Sequence, residues 1–563
     1  MLLLCRLLAF CALLLAVCPV QGQVTVNWVR NLTGPAATGV YDAAFAPGGE
    51  LYTVGHASGT VSAGGSVMTP PPSSQLGFIV KYDAGGNQLW QKTLPSLPGG
   101  QLQLSRLAFD GTGQLLVAGS LRGQVQLEGR SYHGSAEGVA FVARYNAAGT
   151  CLGGSILGDT LAGYAETVVD VVGRADGRLY VLTSAYNTDE GLTISRLLSY
   201  GAAGNLLFSQ TVASGSLFQL HLAVTDAGVQ VLGNFDDNST VNGTAVTLQG
   251  EANFFLARYS LAGQPLGVRY ARSSGNISAV GMSPDAQGNL YLTGLFSGPG
   301  SVIDDTALVP YDALRQPYTV FVAKFDANHN LLWTRAAGGG GGGGSSNGIR
   351  GDFIHLDAGG NYWIAGAYMG AATVGGHPLA AVGSLDLFMA GFSPSGTPLS
   401  VFSTGSTKLD RLTAFDMRGP QLLLAGDYGD DGTGTATIPF GPLSLTTSDP
   451  GADGFVAQLM NPVLLAAGPP RLLSKLAVYP NPATAQLNVQ LPTELAQIAA
   501  TSLALTNAVG QQVQRWELGS TVPTQVRRYD VSQLPGGVYL LLLQDGAGRT
   551  LAQQRVLLGT GQP

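Results

Sequence analysis

SAYNTDEG (184–191), NFDDNST (234–240) and DYGDDGTG (427–434) crowd carboxylates into short stretches rich in turn-forming residues. Grouped carboxylate oxygens are hard ligands, and the chemistry they suggest is Ca²⁺ coordination by Asp236, Asp237, Asp427, Asp430 and Asp431. None of the three follows the alternating DxDxDG loop, however, and acidic side chains in solvent-facing turns are common. The competing reading is a set of ordinary surface turns, with no cofactor at all.

Other constellations are weaker. The six histidines (56, 133, 221, 329, 355 and 377) are scattered, with no HxxxH or HExxH spacing for zinc. No GxSxG elbow is present. The tract Gly338–Gly344 lacks a following Lys-Ser/Thr, which makes it a loop rather than a phosphate cradle. Catalytic residues are therefore expected to be none.

The elements that would carry these loops repeat. FIVKYDAGGNQLW (78–90) returns as FVARYNAAGTCLG (141–153), RLLSYGAAGNLLF (196–208), FLARYSLAGQPLG (255–267), FVAKFDANHNLLW (321–333), FMAGFSPSGTPLS (388–400) and the truncated FVAQL (455–459). Between the copies lies a turn, a strand and a glycine: GGELYTVG (48–55), TGQLLVAG (112–119), AGVQVLG (227–233), QGNLYLTG (287–294), GGNYWIAG (359–366) and GPQLLLAG (419–426). DGRLYVLT (176–183) ends in Thr183 instead, in the same unit whose Phe has become Arg196. Alternation puts Phe141, Ala143 and Tyr145 on one face of a strand and Val142 and Arg144 on the other, so both faces are covered. AGGN and AAGT supply the positive φ of a tight hairpin, and His329 takes that glycine's place in one unit, where a surface turn is its expected setting. The strand-end glycines mark where the chain bends or a neighbouring backbone comes close.

Each unit offers about four short antiparallel strands and no helical period. Such a sheet is not stable alone, and radial stacking buries its faces. The expected fold is all-β, a seven-bladed β-propeller over residues 23–460, with six or eight blades if the divergent third unit is miscounted. VTVNWVRNLTG (24–34) resembles the Trp-bearing QLWQKTLPS, while the last unit lacks that strand. The N-terminal strand is expected to complete the final blade. The FVAKYD, GNxLW and LYxAG pieces resemble the SBBP-type repeats of bacterial surface and secreted proteins, a likeness that speaks to fold and not to activity.

Residues 1–22 read as a signal peptide: Arg6, then an apolar run from Leu7 to Val17 too short to span a bilayer, then Val20 and Gly22 before the cut. Leu15–Cys18 is lipobox-like, but Val17 is bulky and Pro19 follows the cysteine. Removing this segment leaves Cys151 as the sole cysteine, so no internal disulfide is available; a small buried apolar side chain is its expected role. No transmembrane segment is expected in what remains. Charged residues make up 11 %, net charge is −7, and only five of the 28 basic residues are lysine, so no basic patch for nucleic acid exists.

After a proline-bearing linker (461–475) comes LAVYPNPATAQLNVQLP (476–492). Pro480 and Pro482 exclude helix and hold Tyr479 and Asn481 extended or in a turn; Leu487, Val489 and Leu491 then alternate as a strand. SLALTNAVGQQVQRWEL (502–518) and GGVYLLLLQDGAGRTLAQQRVLL (536–558) read as hairpins, the latter with Gly537 and Tyr539 in its first strand. Residues 476–563 are thus expected to form a small Ig-like β-sandwich. VYPNPATAQLNV, LTNAVGQQV, YDVSQLPGGVYLLLL and QQRVLL resemble the type A C-terminal sorting domain of the type IX (Por) secretion system, and the resemblance implies Tyr479, Pro480, Asn481, Pro482, Gly537 and Tyr539 as sorting-motif residues. That resemblance implies the type IX machinery as partner and a secreted or outer-membrane-surface location on a Gram-negative bacterium. Arg555 stands where the family's ending often carries lysine.

Three functions fit. The first is an exported, non-catalytic propeller that binds surface glycan or protein, in adhesion for example. The second is a polysaccharide lyase or hydrolase with carboxylates in the propeller channel. The third is a structural surface scaffold.

Overall fold

The computed structural model describes residues 24–34, 38–57, 59–69, 76–95, 100–127, 129–157, 161–311, 318–340, 348–430, 432–448, 451–461, 476–490, 500–507, 512–518, 526–545 and 550–559. The signal segment, nearly all of the linker, Asp431 and Leu491 lie outside them. Every regular element among the described residues is a β-strand, and no helix is long and apolar enough to cross a membrane. The chain divides into two compact units at Pro462/Val463.

In the first unit the described strands form seven antiparallel sheets with a four-strand core each, and two separate two-stranded hairpins, Gln124–Leu127 with Arg130–His133 and Thr437–Phe440 with Leu443–Thr446. Sheet 1 shows the plan: an inner strand Thr38–Phe45, then Leu51–Ala57, Leu76–Tyr82 and an outer strand Gln88–Pro95. Sheets 2 to 6 repeat it over 101–156, 165–215, 217–272, 277–340 and 349–404. Sheet 7 takes Arg411–Arg418, Gln421–Tyr428 and Asp453–Met460 from the end of the unit, and its outer strand, Thr25–Thr33, from the beginning. That strand runs antiparallel to Asp453–Met460 from Thr25↔Met460 to Leu32↔Gly454. Inner strands of consecutive sheets pack side by side from sheet 1 through sheet 7, and sheet 7 packs back on sheet 1.

The recurring Phe and Gly are cross-strand partners. Phe78 faces Gly55, and the same pairing recurs as Phe141–Gly119, Phe255–Gly233, Phe321–Gly294, Phe388–Gly366 and Phe455–Gly426. The glycine is demanded from its other side. All seven inner strands carry a β-bulge near this level. In sheet 5 the bulge brings a carbonyl so near that a Cβ on Gly294 would sit 2.0 Å from the oxygen of Ser278. In sheet 3 the pair is Thr183–Arg196.

A hairpin arm between the second and third strands reaches back to the preceding sheet. Val61–Ala63 with Ser66–Met68, from sheet 1, pairs onto the outer strand of sheet 7 through Leu32↔Ala63. Arms of sheets 4, 5 and 6 do likewise. Sheet 3 has none: Leu179–Asn187 turns straight into Leu192–Tyr200. The missing arm explains why this is the shortest repeat, 55 residues against 59 to 67 elsewhere.

Outer strands clamp the next sheet's turn. Trp28 donates its indole N–H to Ala84 O (3.1 Å), and Trp90 donates to Ala147 O (3.2 Å). This contact corrects the reading of His329. It adopts the turn's left-handed backbone (φ 64°), yet only 4 % of it is exposed, because Arg269 of the preceding sheet reaches over it to donate to its carbonyl. Cys151 is half-buried rather than fully buried, beside the cluster shared by sheets 1 and 2.

In the second unit, Ala477–Tyr479, Gln486–Gln490 and Val526–Asp530 form one sheet, and Gln512–Glu517, Ala500–Asn507, Gly537–Asp545 and Thr550–Leu558 the other. Leu487, Val489 and Tyr529 of the first share one core with Leu503, Leu505, Leu541 and Leu543 of the second. Val538 is exposed and Leu540 and Leu542 are half-buried, so the central strand buries chiefly the Tyr539 face.

Candidate functional site

The bulge in each inner strand turns an extra residue towards the middle of the first unit. Ser105 and Arg106 of sheet 2, Gln219 and His221 of sheet 4, and Arg350 and Asp352 of sheet 6 line a cavity of about 340 Å³ there. The lining comes from six of the seven inner strands.

Its electrostatics follow from crowding. Burial pushes Asp42 up to about 7, against the pull of the Arg106 guanidinium and of two backbone N–H groups. Those N–H groups belong to Ala43 (2.9 Å) and, in the next sheet, Leu107 (2.9 Å). Asp170 repeats the arrangement, accepting from Val171 and from Leu222 of sheet 4 (both 2.9 Å); burial raises it too. Asp416 accepts from Met417 (2.7 Å) and from Phe45 of sheet 1 (2.8 Å). Each carboxylate thus ties its own strand to a neighbouring sheet. Burial, assisted by Arg106, lowers His221 to about 3 and keeps the imidazole neutral. Burial raises Asp352 to about 6, opposed by Arg350, whose Nε lies 3.0 Å from a carboxylate oxygen.

A second group sits where sheets 7 and 1 meet. The Tyr41 and His56 rings stack at 4.8 Å, and Asp427 accepts from Val40 N (3.1 Å). Burial raises Asp427 to about 7. Burial also lowers His56, and its Nδ1 is buried without a hydrogen-bond partner.

The four calcium candidates among the described residues are not gathered. Asp236 and Asp237 are exposed after the second strand of sheet 4, whereas Asp427 and Asp430 belong to sheet 7. Asp430 is paired with Arg411 at 3.0 Å. Among the described residues no three His, Cys, Asp or Glu side chains are grouped as metal ligands. Asp42, Arg106, Asp170 and His221 escaped the sequence reading because contacts between sheets, not spacing, bring them together. Aligning the bulge positions of VYDAAF (40–45), LSRLAF (104–109) and VVDVVG (168–173) would have exposed them.

In the second unit, Asn481 works as a side-chain peptide group. Its Nδ2 donates to Arg555 O (2.9 Å) and its Oδ1 accepts from Leu557 N (2.7 Å), on the edge strand Thr550–Leu558. Ala483 continues the stitch, donating to Leu557 O and accepting from Gly559 N, both at 2.8 Å. Pro480 and Pro482, having no N–H, add no competing donors. Tyr479 is 45 % exposed beside them. The buried Tyr539 donates its hydroxyl to Pro535 O (2.8 Å), just before the exposed Gly537 opens the central strand.

Residues 477–557 match the family described as the secretion system C-terminal sorting domain. A chain so addressed is secreted or attached to the surface of a Gram-negative bacterium. No curated protein matches the chain. Among solved structures, a protein of unknown function from Dyadobacter fermentans is similar at 10 % identity and a TM-score of 0.36, covering 78 % of this chain and 98 % of that one. PorZ, a surface component of the type-IX secretion system of Porphyromonas gingivalis, aligns at 11 % identity and a TM-score of 0.19, covering 92 % and 81 %. An α-L-arabinofuranosidase of Fusarium graminearum aligns at 9 % identity and a TM-score of 0.32, covering 75 % and 93 %. Likeness this slight says nothing of what the present chain does.

Proposed function

We propose that this chain is an exported, non-catalytic seven-bladed β-propeller that binds a surface or extracellular ligand, glycan or protein, carried out by the type IX machinery through an Ig-like sorting sandwich. The cyclic packing of seven sheets and the SBBP-like repeats support the propeller, and the matched tail supports the route. One observation carries the non-catalytic reading. The carboxylates of Asp42, Asp170 and Asp416 each have both oxygens occupied by backbone N–H groups, so they hold sheets together instead of facing a substrate as an acid–base pair.

The second reading, a polysaccharide lyase or hydrolase, draws on Asp427 and Asp352, which burial moves to about 7 and about 6, a range suited to general acid–base work. A structural scaffold is the third. The test is the secreted protein on glycan and surface-protein arrays, alongside a reducing-sugar assay on a polysaccharide panel. Saturable binding without turnover is expected. Turnover abolished by Asp427→Asn would overturn the binding reading.

A further inference from the structure

Sheet 3 departs from its sisters in three coupled places. Thr183 and Arg196 replace the Gly–Phe pair, and Glu166 stands where sheets 2, 5 and 6 have Leu102, Ile277 and Ile349. Those three apolar side chains are 0 to 2 % exposed, and so is Glu166, at 2 %. Thr183 Oγ1 (2.7 Å), Arg196 Nε (3.1 Å) and Arg196 Nη2 all donate to one carboxylate oxygen, Oε1. The other oxygen, Oε2, is buried and has no hydrogen-bond partner among the described residues.

Stability does not account for this. A buried ion pair gains little over apolar packing of the same shape, and an unsatisfied carboxylate oxygen is a cost. The sister sheets show that the fold is built without either. What distinguishes sheet 3 is the space beside it. Glu166 lines a cavity of about 200 Å³ with Gln101, Gln103, Ser120, Arg122, Glu137 and Thr167, near the starts of the inner strands of sheets 2 and 3.

We propose that Glu166 and this cavity form a binding subsite for an uncharged, hydroxyl-rich ligand, a sugar residue of a glycan. Arg196 neutralises the Glu166 carboxylate and Arg122 offsets that of Glu137, so the lining has no net charge and calls for neither a cation nor an anion. Oε2, the unpartnered oxygen, accepts a hydrogen bond from a ligand hydroxyl, while amides and hydroxyls around the cavity both donate and accept. The volume, that of roughly seven liquid waters, suits one sugar ring. This inference rests on the binding reading above and narrows it to a ligand class and a place.

The test uses the secreted full-length protein and saturation-transfer NMR with neutral monosaccharides (glucose, galactose, mannose, xylose and N-acetylglucosamine), with glucuronate and glucosamine as charged controls and Ca²⁺ followed separately by isothermal titration. Two variants address folding. Gln101→Ala/Gln103→Ala alters only exposed amides. Glu166→Ile/Thr183→Gly/Arg196→Phe copies the arrangement of sheet 5, and its melt is expected at or above the parent's. At least one neutral sugar is expected to bind, weakened about tenfold or more by either variant, as loss of a hydrogen bond to a charged group implies. No neutral sugar bound, or a charged control preferred and lost in the same variants, overturns the subsite. Sugar binding indifferent to both variants also overturns it but leaves the binding reading standing. That reading falls only if the arrays yield no glycan or protein partner at all.

Discussion

Trp28→Ala tests whether the strand Thr25–Thr33 is a structural member of the first unit or a passenger. The indole is 6 % exposed, lies 6.1 Å from the Tyr82 ring and donates to Ala84 O. It fits so closely under the sheet 1 turn that a Cβ on Gly86 would meet it at 2.4 Å. Truncating a buried Trp costs about 3–5 kcal/mol. Unfolding entropy of about 2.1 cal/mol/K per residue over roughly 440 residues gives about 0.9 kcal/mol/K, so the melt should fall by about 3–5 °C if the unit unfolds cooperatively. Calorimetry of the secreted protein reads this directly. Trp90→Ala, the same clamp between sheets 1 and 2 but with a half-buried indole, should cause a smaller yet measurable fall, and the exposed Thr25→Ala should change stability by under about 0.5 kcal/mol. If Trp28→Ala melts like Thr25→Ala while Trp90→Ala does not, closure through the first strand is wrong.

Gly294→Ala should cost about 1–3 kcal/mol in urea denaturation, because its Cβ would lie 2.0 Å from Ser278 O; a loss under about 0.5 kcal/mol would show that the bulge yields freely. Asn481→Ala should destabilise the second unit by about 1 kcal/mol, seen as faster proteolysis of the tail and less protein in the medium, with Asn481→Asp between it and the parent. Asp427 is raised to about 7 when folded, so between its unfolded value and 7 the native state binds the extra proton. Its contribution to stability therefore declines as pH rises through that window. Asp427→Asn should flatten the fall in melting temperature between pH 5 and 8, and an identical pH profile in the variant would refute the assignment.

What could be read in the sequence was whatever sterics force locally. The Phe–Gly pairs stand out because in five of the six a backbone carbonyl, and in sheet 4 the Phe255 and Leu220 side chains, fill the space a Cβ would need, and the turn sequences because positive φ selects glycine or asparagine. Trp28 was legible by likeness to Trp90. The hairpin arms were not, since runs such as Val61–Ala63 are two to four residues long, too short to show a period. His329 was misplaced for a related reason: its turn is local, but the arginine covering it comes from another sheet. Asp42 and the Leu107 backbone it binds are 65 positions apart, so that part of the site is invisible until sheets are set side by side. Asn481 lay inside a recognised motif, yet its partners at 555 and 557 became apparent only with the edge strand in place.

The pairing of Thr25 with Met460 has a consequence for how the molecule is made. Six sheets can be completed in order as the polypeptide emerges, each from contiguous chain. The seventh waits for residues more than four hundred positions apart to find each other, a loop closure of very high contact order. Until translation passes residue 460, the nascent protein presents an unmated edge at both ends of the array, the state most exposed to mispairing and to chaperones. Completion of the first unit is therefore a late event in its folding.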